Sequence, residues 1–126
     1  MLLTHAMYGC SSFGAPTPSV EAPVVSHAIW DKLLNSHVDK EGFVDYKGFI
    51  RDSVKFNEYL AILSAANPKA DNWSREEQMA FWINAYNAFT VKLIIDNYPV
   101  SSIKDIKKGI AFVNSVWDIQ FIHIGG

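Results

Sequence analysis

An α+β domain, mostly helical and built around a long buried central helix with a small β component, is what this sequence predicts. Three observations lead there. Apolar residues recur at three- and four-residue spacing through much of 26–98. The stretch 73–99, WSREEQMAFWINAYNAFTVKLIIDNYP, reads as one long capped helix that is apolar on nearly every face and must therefore be wrapped by other elements. Two short pieces, 43–46 and 117–124, have β-forming residues in an extended pattern.

Composition supports a folded chain and narrows its partners. The 126 residues are 49% hydrophobic, 13% aromatic and 19% charged, with four Trp, eight Phe and five Tyr, which is ample material for one core. A net charge of −2, from 11 basic and 13 acidic residues, leaves no electrostatic footprint for a phosphate backbone, so nucleic acid is not an expected partner. The lone cysteine, Cys10, excludes an internal disulfide framework and a multi-cysteine metal cage.

Residues 1–25 separate from the rest by composition. MLLTHAMYGCSS has a short apolar stretch ending in a small residue and then Cys10, as in a lipoprotein signal peptide whose cysteine carries the lipid, and 11–23 is a Ser-, Pro- and Ala-rich tether. This reading places the domain, 26–126, in the bacterial cell envelope or periplasm, touching membrane only through a lipid anchor at Cys10. The alternative is an untargeted terminus with an incidental cysteine, because no Lys or Arg precedes Lys32. No later apolar run approaches the ~20 residues needed to span a bilayer.

The first helix is expected over 26–38, capped by Ser26, with Ile29, Trp30, Leu33 and Leu34 as its core stripe. In the turn that follows, His37, Asp39, Glu41 and Asp45 invite comparison with a calcium loop. That comparison fails because the sixth residue from Asp39 is Val44 where the sharp bend needs glycine, so no metal is assigned. A second helical region spans 46–66, broken near Asp52 and Ser53, burying Phe49, Ile50, Phe56, Tyr59, Leu60, Ile62 and Leu63. Asn67-Pro68 ends it.

The long helix starts at Ser74, where Ser74-Arg75-Glu76-Glu77 spells a capping box, and Tyr98-Pro99 stops it. Asn84 and Asn87 interrupt its most hydrophobic stretch at three-residue spacing. Buried amides need partners, so the pair either ties down a neighbouring loop or orients a group in a cleft, with Trp82 and Tyr86 as packing beside it. A short helical turn is expected at 101–107. The segment 117–124 alternates as a strand apolar on both sides, with His123 on the face of Trp117, Ile119 and Phe121 as a histidine satisfied by the core. Its open edge would favour self-association. The chain has neither a Gly-rich phosphate loop nor a nucleophile elbow, and no cofactor is expected.

The runs WDKLLNSHVDKEGFVDYKGF, YLAIL, AFWINAYNAFTVKLII with DNYPVSSIKDI, and VWDIQFIHIGG resemble the N-terminal portion of the domain of unknown function 547 family over about 29–126. In that family the domain occurs in bacteria, often with export signals, and in plants and animals joined to leucine-zipper or glutaredoxin modules. The resemblance implies a supporting position for Asn84 and Asn87, packed by Trp82 and Tyr86, and carries over no catalytic residue. Relatives continue beyond the equivalent of IHIGG with His- and Cys-containing motifs. Three functions follow as expectations: a truncated, non-catalytic envelope domain; an interaction or scaffold module with a protein partner; or the frame of a thiol-dependent hydrolase or acyl-transfer enzyme whose Cys/His part lies elsewhere.

Overall fold

The structure, a computed structural model, describes residues 25–68, 73–106, 122 and 124. Four α-helices and one 3-10 turn follow in order: α1 (Ala28–His37), α2 (Tyr46–Arg51), α3 (Ser53–Ala65), α4 (Arg75–Asp96) and the turn Ile103–Asp105. Helices α2 and α3 each touch both α1 and α4.

The expected α+β class is corrected. The described residues are 68% helical and 2% strand, without a sheet. Within 43–46, only Val44 pairs, as an isolated antiparallel bridge to Val38, and Tyr46 already begins α2. Local chemistry explains this. Gly42 takes φ +89, and Asp39 Oδ1 accepts from the backbone N–H groups of Glu41 (3.0 Å) and Phe43 (2.8 Å). The chain therefore reverses in a tight loop, and Asp45 caps α2 by accepting from Gly48 N at 3.0 Å before a second rung can form. Of the other expected strand, 117–124, all but Ile122 and Ile124 lies outside the described residues. Those two are half-buried against the main core and belong to no strand.

Helix boundaries follow local rules. The region expected over 46–66 breaks at Asp52, which ends α2 and precedes α3. Helix α4 carries the full capping box: Ser74 Oγ accepts from Glu77 N at 3.1 Å while Glu77 Oε2 accepts from Ser74 N at 2.7 Å. Helix α1 starts at Ala28 with His27, not Ser26, at the cap position and without a side-chain capping bond.

Aromatic rings fill the core. Trp30 stacks on Tyr59 with centroids 5.6 Å apart and planes 5° from parallel, Phe49 meets Phe56 at 5.2 Å, and Trp73 meets Phe81 edge-on at 5.4 Å. Phe49, Phe56, Tyr59, Leu63 and Phe81 are fully buried, and a large apolar side chain so enclosed contributes about 1.5–3 kcal/mol relative to its exposed state. Ile50, expected inside, is 42% exposed. The six-residue α2 buries its neighbours Gly48 and Phe49, and a helical step of about 100° turns the next side chain outward. A second, smaller cluster joins Leu93 and Ile94 to Ile106, beside Tyr46, Val100 and Ile103.

Candidate functional site

Helix α4 is not enclosed on all sides. Phe81, Ala85, Ala88 and Phe89 face the core, whereas Met79 is 55%, Trp82 43%, Ile83 56% and Tyr86 43% exposed. The spacing 79, 82, 83, 86 is one helical stripe. Farther along the helix, Leu93 and Ile94 are covered by Ile106. No charged residue occurs between Gln78 and Val91, so the stripe runs along a helix segment without ionic side chains.

The sequence-predicted site residues fall around this stripe. Trp82 and Tyr86 belong to it, Trp82 meeting Phe81 edge-on at 5.4 Å and Tyr86 accepting at its backbone oxygen from Thr90 Oγ1 at 2.7 Å. Asn84 is half-buried and Asn87 exposed. The helix turns its small residues, Ala85 and Ala88, inward beside them, so the two amides border the stripe and do not sit in the densest packing. His123 and Cys10 lie outside the described residues.

A second polar constellation, which sequence reasoning did not assemble, joins the end of α1 to the α2–α3 junction. His37 Nε2 donates to Asp52 Oδ2 at 2.6 Å, and its backbone oxygen accepts from Asp45 N at 2.7 Å. Its ring lies 5.1 Å from Phe49. Arg51 donates to Asp45 Oδ2 at 3.1 Å. The Gly48 N–H, aided by the Arg51 guanidinium, holds the Asp45 carboxyl below the usual carboxylate range. The ring packs closely on Gly48: a Cβ there would lie 2.3 Å from His37 Nδ1. A histidine with one nitrogen bonded to a carboxylate and its ring packed on Gly48 brackets the end of α1 to the α2–α3 junction. A shallow cavity of about 370 Å³ adjoins this bracket, and Ser36, His37, Asp39, Phe43 and Asp45 are among its lining. Among the described residues, no three His, Cys, Asp or Glu side chains are placed to hold a metal ion. The signal that could have found the bracket is Gly48, a glycine inside a helical pattern, which marks a close approach.

A third feature is internal. His27 Nδ1 and the fully buried Tyr59 hydroxyl share a hydrogen bond of 2.7 Å. Burial pushes the Tyr59 hydroxyl well above its ordinary range and lowers His27, so the neutral pair is favoured.

The described part of α4 is not long and apolar enough to cross a membrane, nor is any other helix among the described residues. No curated protein and no solved structure matches the chain. Residues 70–126 match the family described as "Protein of unknown function, DUF547". The stretch that carries α4, its capping box and its exposed stripe thus lies within the part of the chain that is similar to the DUF547 family.

Proposed function

We propose that this chain is an envelope-associated, non-catalytic interaction module that docks protein through the exposed face of α4. The observation that carries the reading is the stripe of Met79, Trp82, Ile83 and Tyr86, each at least 43% exposed, on a helix segment with no charge from Gln78 to Val91. Solvated helix faces ordinarily mix charges of both signs, whereas the centres of protein interfaces are enriched in Trp, Tyr and Met and depleted of charge. The non-catalytic part is supported by His37, whose imidazole is engaged by Asp52 and packed on Gly48. The envelope part is supported by the apolar stretch before Cys10 and the tether after it.

Two experiments test the reading. A photoreactive phenylalanine analogue placed at Trp82 in the cell should yield one discrete protein adduct, and the same probe at Lys47, an exposed position of α2, should yield none. A smear, or equal labelling at both positions, removes the docking surface. Replacing Cys10→Ala should move the protein from the membrane fraction to the soluble one. Identical fractionation of both forms removes the lipid anchor.

A further inference from the structure

Just before α1 the chain runs through Val25, Ser26 and His27, and this short entry touches two helices of the core. Val25 is half-buried against the main core. The His27 imidazole, bonded to the Tyr59 hydroxyl of α3 at 2.7 Å, stands edge-on to the Tyr59 ring at 6.0 Å and lies 6.4 Å from the ring of Phe81 on α4. We infer that residues 25–27 form an acid-released strap, seated across the α3–α4 seam at neutral pH and detached from it on mild acidification while the helices stay folded.

The first argument is how little fastens the strap. Ser26 is exposed, and its hydroxyl reaches only the nearby backbone N–H of Ala28, at 3.4 Å. His27 stands at the N-cap of α1 without a side-chain capping bond, so its ring spends its contacts on α3 and α4. The hold on those helices therefore depends on one titratable ring and one half-buried valine. Beyond it, α1 is anchored separately, by the buried Trp30 and Leu33. A segment with so few buried contacts opens at a far lower free energy than the core does, and the opening can stop where α1 begins.

The second argument is that the seat suits a neutral ring. From α3 the facing titratable group is Tyr59, which burial keeps protonated, and α4 presents the uncharged Phe81. On α1 itself Asp31 bonds the His27 carbonyl through its backbone N–H at 2.9 Å, and its side chain is exposed. Among the described residues no carboxylate pairs with the His27 ring. A proton on the seated ring has burial and the positive end of α1 against it. In water the same ring takes up a proton at about 6.5. The seated form thus holds neutral histidine: closure is complete above that pH and weakens below it, by up to about tenfold per pH unit.

The third argument is what release changes. It uncovers the side of Tyr59 and Phe81 on which His27 sits. Phe81 also meets Trp82 edge-on at 5.4 Å, so the bared seam adjoins the apolar stripe of α4 and enlarges it in acid. The segment before α1 gains three residues of free chain, about 10 Å of added reach at ~3.3–3.6 Å per residue. One protonation thereby changes both an apolar surface and the length of the lead-in to the domain, in the manner of histidine switches.

Thiol labelling of the full chain tests the strap. In a Cys10→Ser background one protein carries Val25→Cys, a small apolar exchange, and a reference carries Val54→Cys at a position that is 79% exposed. A pyridyl disulfide, which reacts with thiols in mild acid, labels both between pH 7.5 and 5.5. The rate at 25 relative to that at 54 should rise about threefold to tenfold on acidification, with helical circular dichroism unchanged. His27→Gln, neutral throughout and able to bond the same hydroxyl, should keep the ratio flat. The unsubstituted chain gives a second reading. The amide of Asp31, bonded to the His27 carbonyl, should lose hydrogen-exchange protection over the same range, after correction for intrinsic rates, while that of the fully buried Leu63 keeps it. A labelling ratio indifferent to pH, an equal rise in His27→Gln, a rise seen only as helicity is lost, or unchanged protection at Asp31 overturns the strap.

Discussion

His37 shows how one side chain can join three elements. Its imidazole donates to Asp52, its carbonyl accepts from the start of α2, and its ring rests on Gly48 and Phe49. Gly48→Ala should destabilise the fold by about 1–3 kcal/mol, the usual cost of forcing an extra group into filled space. The same change in a His37→Ala background should cost clearly less, because the displaced ring is gone. Urea midpoints of the four proteins measure this, and equal costs in both backgrounds would refute the contact. His27 makes a pH prediction. Its pKa is lowered by burial in the folded chain, so above about 6.5, the ordinary histidine value, it is neutral in both states. Below that pH the unfolded chain takes up a proton that the folded one resists, and stability is lost. The groups facing it are Tyr59 and Phe81, and a cation there would also oppose the positive end of α1. Between pH 7.5 and 5 the melting temperature should fall more steeply for the original than for His27→Gln, whose neutral amide can bond the same hydroxyl in either sense. Parallel curves would show that the other histidines carry the effect.

At the scale of elements, α4 is two-faced in a way its composition conceals. Phe81 and Trp82 are adjacent aromatic residues, one fully buried and the other 43% exposed. Phe81→Ala should therefore cost about 3–5 kcal/mol, as for a buried aromatic, while Trp82→Ala should cost less than half as much. Comparable losses in chemical denaturation would mean that the outer face is packed after all. The start of α4 depends on its reciprocal cap, so Ser74→Ala should cost about 0.5–2 kcal/mol. Ser74→Asp, which can still accept from Glu77 N, should recover most of that in the same assay.

At the scale of the molecule, stability rests on apolar packing. Among the described residues no polar or charged side chain is buried, and the ion pairs His37–Asp52, Arg51–Asp45, Lys55–Glu58 and Lys92–Asp96 each include a partner about half or more exposed. Exposed pairs are typically worth 0–1 kcal/mol and are screened by salt. Raising sodium chloride to about 0.5 M, where the Debye length falls well below 10 Å, should move the urea midpoint only slightly. A large loss of stability in salt would show that charge, not packing, holds the helices together.

Much of this architecture could be read along the chain because its causes are local. The capping box at Ser74, the break at Asp52, the stop before Pro68 and the stripe of Trp30 and Leu33 depend on residues within a few positions of one another, and the family resemblance rests on contiguous runs such as AFWINAYNAF. What could not be read is which apolar face goes inside. A helix apolar all round gives no directional signal, so the enclosure expected for Trp82, Asn84, Tyr86 and Asn87 was a choice among equivalent faces. Packing of the core settled it, burying Phe81, Ala85 and Ala88 and leaving Met79, Trp82 and Ile83 exposed. Likewise β-forming residues at 43–46 specify an extended backbone but not a partner strand, and the cap at Asp45 ends that segment after one bridge. Hydrophobic periodicity records how much surface must be buried. The direction of burial and the meeting of His37 with Asp52 across fifteen positions arise when the elements pack.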